Sequence, residues 1–166
     1  MKNSKIILIV MAIVCILCVG CENKETGKSV NDILNEYKYK TKCRYSVYSF
    51  SDNNDILKEH NMESWYSALD IAYDDLDDKV SVVHLYNKFE FNNWQKAKEY
   101  YDDNIEEWKE TKQEAELSEE NIDSESSGEI TVTKLYKEKS TPRSIIEEQK
   151  EAGYTCKTTK SSDRND

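Results

Sequence analysis

Only four glycines and one proline occur in the 166 residues, and the glycines never cluster, so no Gly-rich loop is present to cradle phosphate. The two histidines, His60 and His84, lie outside any His-Glu-x-x-His pattern, and no Gly-x-Ser-x-Gly elbow presents a nucleophilic serine. Signatures of nucleotide binding, zinc proteolysis and serine hydrolysis are therefore missing. Basic residues are in deficit, 23 Lys and Arg against 33 Asp and Glu, which gives a formal charge of −10. Phosphate backbones are bound by basic faces that release counterions, so nucleic acid is not an expected partner. Beyond residue 21 only Cys43 and Cys156 remain, without the paired spacing of a zinc site.

What is present starts at the N-terminus. Met1 to Lys5 carries two lysines and no acid, and Ile6 to Gly20 is an uninterrupted apolar run closed by Val19-Gly20-Cys21. The run falls short of the roughly 20 apolar residues needed to cross a bilayer and is followed at once by Glu22, Asn23, Lys24 and Glu25. A basic start, a short apolar core and small residues at its end are the parts of a removable export signal. Val19, Gly20 and Cys21 resemble the bacterial lipobox, with Cys18 standing where Leu is usual. The resemblance implies lipidation of Cys21 and cleavage before it; an uncleaved anchor with Cys21 buried is the alternative. Two acyl chains hold stably to a bilayer at about 0.8 kcal/mol per buried methylene, whereas one holds marginally. The expected partner is thus a membrane, reached through lipid on Cys21, because an acidic chain is repelled by anionic headgroups.

Loss of the signal removes Lys2, Lys5, Cys15 and Cys18, and lipid takes Cys21. The remaining pair, Cys43 and Cys156, is read outside the cytoplasm as a disulfide, with two buried free thiols as the alternative. The chain divides into a signal (1–20), a polar tether (21–36), a single α+β domain (37–158) and a polar tail (159–166).

Within the domain, Cys43, Tyr45 and Val47 alternate with Arg44, Ser46 and Tyr48, which predicts a strand to about Phe50. Ser51 to Asp55 reads as a turn. Met62 to Leu76 fits a helical stripe and a strand face almost equally; strand is chosen, because Lys79 to Phe91 is plainly β and Asp74 to Asp78 then forms a hairpin tip. Asn92 or Asn93 caps a helix whose apolar face is Trp94, Ala97, Tyr101, Ile105 and Trp108. Glu114 to Ile122 reads as strand or fraying helix, Asp123 to Gly128 as a loop, and Ile130 to Leu135 as strand. Thr141 caps a short helix with Pro142 at its first position, Gly153 ends it, and Tyr154 to Lys157 is extended. The expected fold is α+β, an antiparallel sheet of hairpins against one long amphipathic helix, plus a short C-terminal helix.

A lipobox, a Cys in the first strand (Thr41-Lys42-Cys43), two hairpins around a long helix and the ending Ala152-Gly153-Tyr154-Thr155-Cys156-Lys157 resemble the YehR-like and related small lipoproteins of low-GC Gram-positive bacteria. The resemblance covers nearly the whole mature chain. It implies strands packed on a helix and a Cys43 to Cys156 bridge, it makes Asp55 to Ser64 an insertion, and it brings no assigned activity.

Candidate chemistry is sparse. Asp74 to Asp78 lacks calcium-loop spacing and reads as a solvated tip. His84 near Asp70 has no nucleophile to serve, and His60 carries no signal. Neither catalytic nor metal-ligating residues are assigned, and no cofactor is expected. Three readings remain: a surface-tethered binding module for an unknown protein or small ligand, using Tyr48, Tyr66, His84 and Tyr86; an accessory envelope protein; and a carboxylate hydrolase, which would need two converging acids that the sequence does not offer.

Overall fold

Ser29 opens the first described element. Its hydroxyl accepts from the Asp32 amide at 3.2 Å, while the Asp32 carboxylate accepts from the Ser29 amide at 3.1 Å. This reciprocal capping box satisfies two donors that a helix start would otherwise leave unpaired. The Ser29 hydrogen bonds also hold the Asp32 carboxyl below the usual carboxylate range. The computed structural model describes residues 28–48, 55–122 and 125–161; the expected signal, Cys21 and the first part of the tether lie outside the described residues.

The elements in chain order are α1 (Val30–Asn35), β1 (Tyr39–Tyr48), α2 (Asp55–Glu59), β2 (Ser64–Tyr73), β3 (Ser81–Phe91), α3 (Trp94–Glu110), β4 (Glu114–Ile122), β5 (Glu125–Glu138), α4 (Pro142–Glu151) and β6 (Thr155–Lys160). The protein is α+β, with four helices among the described residues and a six-stranded antiparallel sheet ordered β4-β5-β3-β2-β1-β6.

Two sequence expectations need correction. The tether does not run to Glu36: Val30, Ile33 and Leu34 form one face of α1 and pack with Tyr37 on Ala72 and Val82. Leu34 is buried, which contributes about 2 kcal/mol relative to an exposed leucine. The polar residues between these apolar ones hid the spacing. Second, Gly128 is not in a loop but inside β5, opposite Glu119 of β4. The stretch from Asp55 to Ser64 packs into the fold: Leu57 and Met62 are buried, and the Met62 amide donates to the Leu57 carbonyl at 2.8 Å.

The described residues group into two compact units. The first comprises Ser46–Ser67 and Tyr86–Lys134. Its interior is aromatic. Trp65 stacks on Phe89 at a centroid distance of 6.2 Å, Phe89 on Trp108 at 6.4 Å, and Tyr100 lies 5.6 Å from Phe91. Burial pushes the Tyr100 phenol up to about 12. The inner face of α3 therefore includes Tyr100, which the expected stripe omitted, and buries Ala97 and Trp108 most completely. Asn93 caps α3 by accepting from the Lys96 amide at 3.2 Å.

Gly128 explains how closely α3 approaches β5. A Cβ placed there would fall 2.3 Å from the Ala97 Cβ and 3.3 Å from the Trp94 ring. No larger residue fits between the helix and the strand without a shift.

The second unit comprises the described residues up to Tyr45, together with Ala68–Leu85 and residues 135–161. Cys43, Leu69, Ile71, Tyr73 and Val83 pack there with Ile145 and Ile146 of α4. Thr141 caps α4, accepting from the Ser144 amide at 3.3 Å, and Pro142 fills the first turn. Gly153, at φ +93°, turns the chain from α4 into β6. Residues Ala68 and Ala72 of β2 are buried as well as Leu69, Ile71 and Tyr73. Burial from both sides put apolar residues on both faces and blurred the strand signal in the sequence.

Candidate functional site on the outer face of the first unit

Alternation along three neighbouring strands builds the site. On β3, Asn87, Phe89 and Phe91 are buried, so Tyr86, Lys88 and Glu90 share the opposite face. On β2, Tyr66 lies between buried Trp65 and Ser67. On β5, Glu129 lies between buried Gly128 and Ile130. The sheet order places β5, β3 and β2 side by side.

The side chains on this face are mutually arranged. Lys88 Nζ lies 2.8 Å from Glu90 Oε1 and 2.7 Å from Glu129 Oε2. Ser64 donates its hydroxyl to the second Glu90 oxygen. The Tyr66 and Tyr86 rings meet edge to face at 6.1 Å. Burial, with Glu129 nearby, pushes the Tyr86 phenol up; Lys88 acts in the opposite sense. Lys88 and Ser64 beside Glu90 hold its carboxyl below the usual range, and the two glutamates hold the Lys88 ammonium in its charged form. Such groups are fixed donors and acceptors. The Glu90 carboxyl is thereby favoured in its ionised form and the Lys88 amine in its protonated form.

Of the four residues expected to form a binding surface, the structure brings Tyr66 and Tyr86 into contact. Tyr48 belongs to the same unit, at the end of β1, and is 43% exposed. His84 belongs to the second unit. There Arg44 pairs with Asp70 at 2.5 Å and donates to the Leu69 carbonyl at 3.2 Å. Burial lowers the His84 imidazole from its usual value, against an opposing pull from Asp70. Lys88, Glu90 and Glu129 were not singled out from the sequence. The period of two from Tyr86 marks Lys88 and Glu90, but Glu129 joins them only once β5 is known to neighbour β3.

Cys43 and Cys156 are bonded in the second unit, as direct register partners of β1 and β6 with Cα atoms 4.0 Å apart. Asp77 at the β2–β3 tip binds Arg143 in a two-pronged pair, Nε to Oδ1 at 2.8 Å and Nη2 to Oδ2 at 3.1 Å. Among the described residues no three His, Cys, Asp or Glu side chains are grouped to hold a metal ion, and no helix is long and apolar enough to cross a membrane. No family model matches the chain, and neither the curated proteins nor the solved structures give a match.

Proposed function

We propose that this chain is a bacterial surface lipoprotein, anchored to the outer face of the cell membrane through Cys21, whose folded part is a non-catalytic binding module. The observation that carries the export half is the Cys43–Cys156 bridge. Stable disulfides belong to oxidising compartments and are rare where glutathione keeps thiols reduced. Together with a short apolar run ending at Val19-Gly20-Cys21, the bridge favours an extracytoplasmic address.

The binding half rests on the outer face of the first unit, where partly exposed tyrosines adjoin charges locked in ion pairs. In this reading the face holds a ligand by stacking and hydrogen bonding. The second reading, an accessory envelope protein, predicts one stable protein partner and no small ligand. Metabolic labelling with palmitate tests the anchor: the wild type takes up label and Cys21→Ala does not. Label persisting in Cys21→Ala would overturn it. Cross-linking on intact cells tests the module, which requires a captured partner or ligand.

A further inference from the structure

The cluster on the outer face of the first unit offers three kinds of contact together. Tyr66 and Tyr86 provide ring surface, Lys88 and the phenols provide donors, and Glu90 and Glu129 provide acceptors. The ion pairs hold these groups in place before a ligand arrives, which lowers the ordering cost of binding.

Charge narrows the occupant. One ammonium faces two carboxylates in a chain of formal charge −10, so a phosphate, sulfate or carboxylate ligand meets net repulsion and a cation already bound by both glutamates. A cationic ligand would have to displace Lys88 from the same oxygens. An uncharged polyol meets neither obstacle. Its hydroxyls both donate and accept, so one can bridge Lys88 to a carboxylate without breaking the pair, while the C–H face of a sugar ring lies on a tyrosine.

We propose that the face formed by Tyr66, Tyr86, Lys88, Glu90 and Glu129 binds an uncharged glycan. The proposal rests on the reading of the chain as a surface binding module and names the ligand class of that site. Tyr66 and Tyr86 act as the stacking platform; the Lys88 group orients the hydroxyls.

The test uses the full chain in a sugar-free zwitterionic detergent, titrated by calorimetry with neutral tetrasaccharides of glucose, galactose, mannose and N-acetylglucosamine. At least one is expected to bind, with affinity nearly unchanged by added salt, because no net charge is neutralised. Tyr66→Ala and Tyr86→Ala each weaken binding about tenfold, whereas Tyr66→Phe and Tyr86→Phe retain most of it. Circular dichroism confirms that each variant folds. Absence of binding by all four sugars, or binding unaffected by both alanine variants, overturns the proposal. A photo-reactive residue placed at position 66 on intact cells separates the two levels. Capture of a protein there, with no sugar bound, sinks the glycan and leaves the binding module standing; no capture and no sugar sink both.

Discussion

Cys43 and Cys156 lie directly opposite each other across β1 and β6 and are joined through sulfur, 113 residues apart in sequence. Cys43 is fully buried, whereas β6 is an edge strand with most of its residues exposed. The edge strand contributes little apolar burial of its own, so the bridge is its firmest attachment. A hydrogen bond between the Thr41 and Thr158 hydroxyls (2.8 Å) and one from the Ser161 amide to the Lys38 carbonyl (2.9 Å) supplement it.

Cutting the bridge should therefore lower stability substantially. In the chain-entropy picture a loop of this size is worth up to about 4.7 kcal/mol. Urea unfolding with and without reductant, and of Cys43→Ala/Cys156→Ala, should show a lower midpoint and a loss of unfolding free energy of up to that order. Identical midpoints would mean that the bridge carries no load.

Gly128→Ala should destabilise the first unit by about 1 to 3 kcal/mol, because its Cβ meets Ala97 Cβ at 2.3 Å and the helix must move away. Adding Ala97→Gly should recover part of the loss, less the cost of about 1 kcal/mol for glycine inside a helix. Thermal unfolding of the single and double variants measures the coupling; strictly additive effects would refute the contact.

Removing the cap at Asn93 by Asn93→Ala should cost about 1 kcal/mol, since the Lys96 amide loses its acceptor. Asn93→Asp should be tolerated, because its side chain still accepts and its charge suits the helix N-terminus. Denaturant midpoints of the two variants provide the comparison.

Glu90 should titrate below the ordinary glutamate value of about 4.3 in a carbon-detected NMR titration. Its folded value is depressed, so its contribution to stability is present above the unfolded value and is lost as pH falls through the folded one. Lys88→Met should move the Glu90 midpoint upward. An unmoved midpoint would contradict the ion pairing.

His84 should favour the neutral form in the fold, because burial lowers its value despite Asp70, with Arg44 and Lys40 acting in the same direction as burial. Its share of stability is complete above the ordinary value of about 6.5 and declines as pH falls through the folded value. Between pH 7.5 and 5.0 the wild type should therefore lose more stability than His84→Gln in urea titrations. Equal losses would remove His84 from the pH response.

Features set by a few consecutive residues were legible in the sequence. Asn92 or Asn93 and Thr141 were recognisable as caps, Pro142 as a first-turn residue, Gly153 as a stop and Lys79 to Phe91 as a strand, because each depends on backbone chemistry within a turn or on a period of two. Reading failed where packing overrode pattern. α1 is short and mostly polar, and it is fixed by where Leu34 lands. Gly128 looks like loop punctuation until Ala97 is seen against it. The candidate site was half visible: Tyr66 and Tyr86 could be named from strand alternation, but Lys88, Glu90 and Glu129 could not be joined to them.

By itself the sequence determined the local elements, the acidic surface and the single cysteine pair beyond residue 21, since composition and short-range spacing dictate these directly. Only the tertiary structure decided that β5 lies beside β3, that Glu129 meets Lys88 and that Cys43 faces Cys156. Strand order and register arise from which faces can be buried together. That choice is made by packing between residues far apart in the chain, which no local period records.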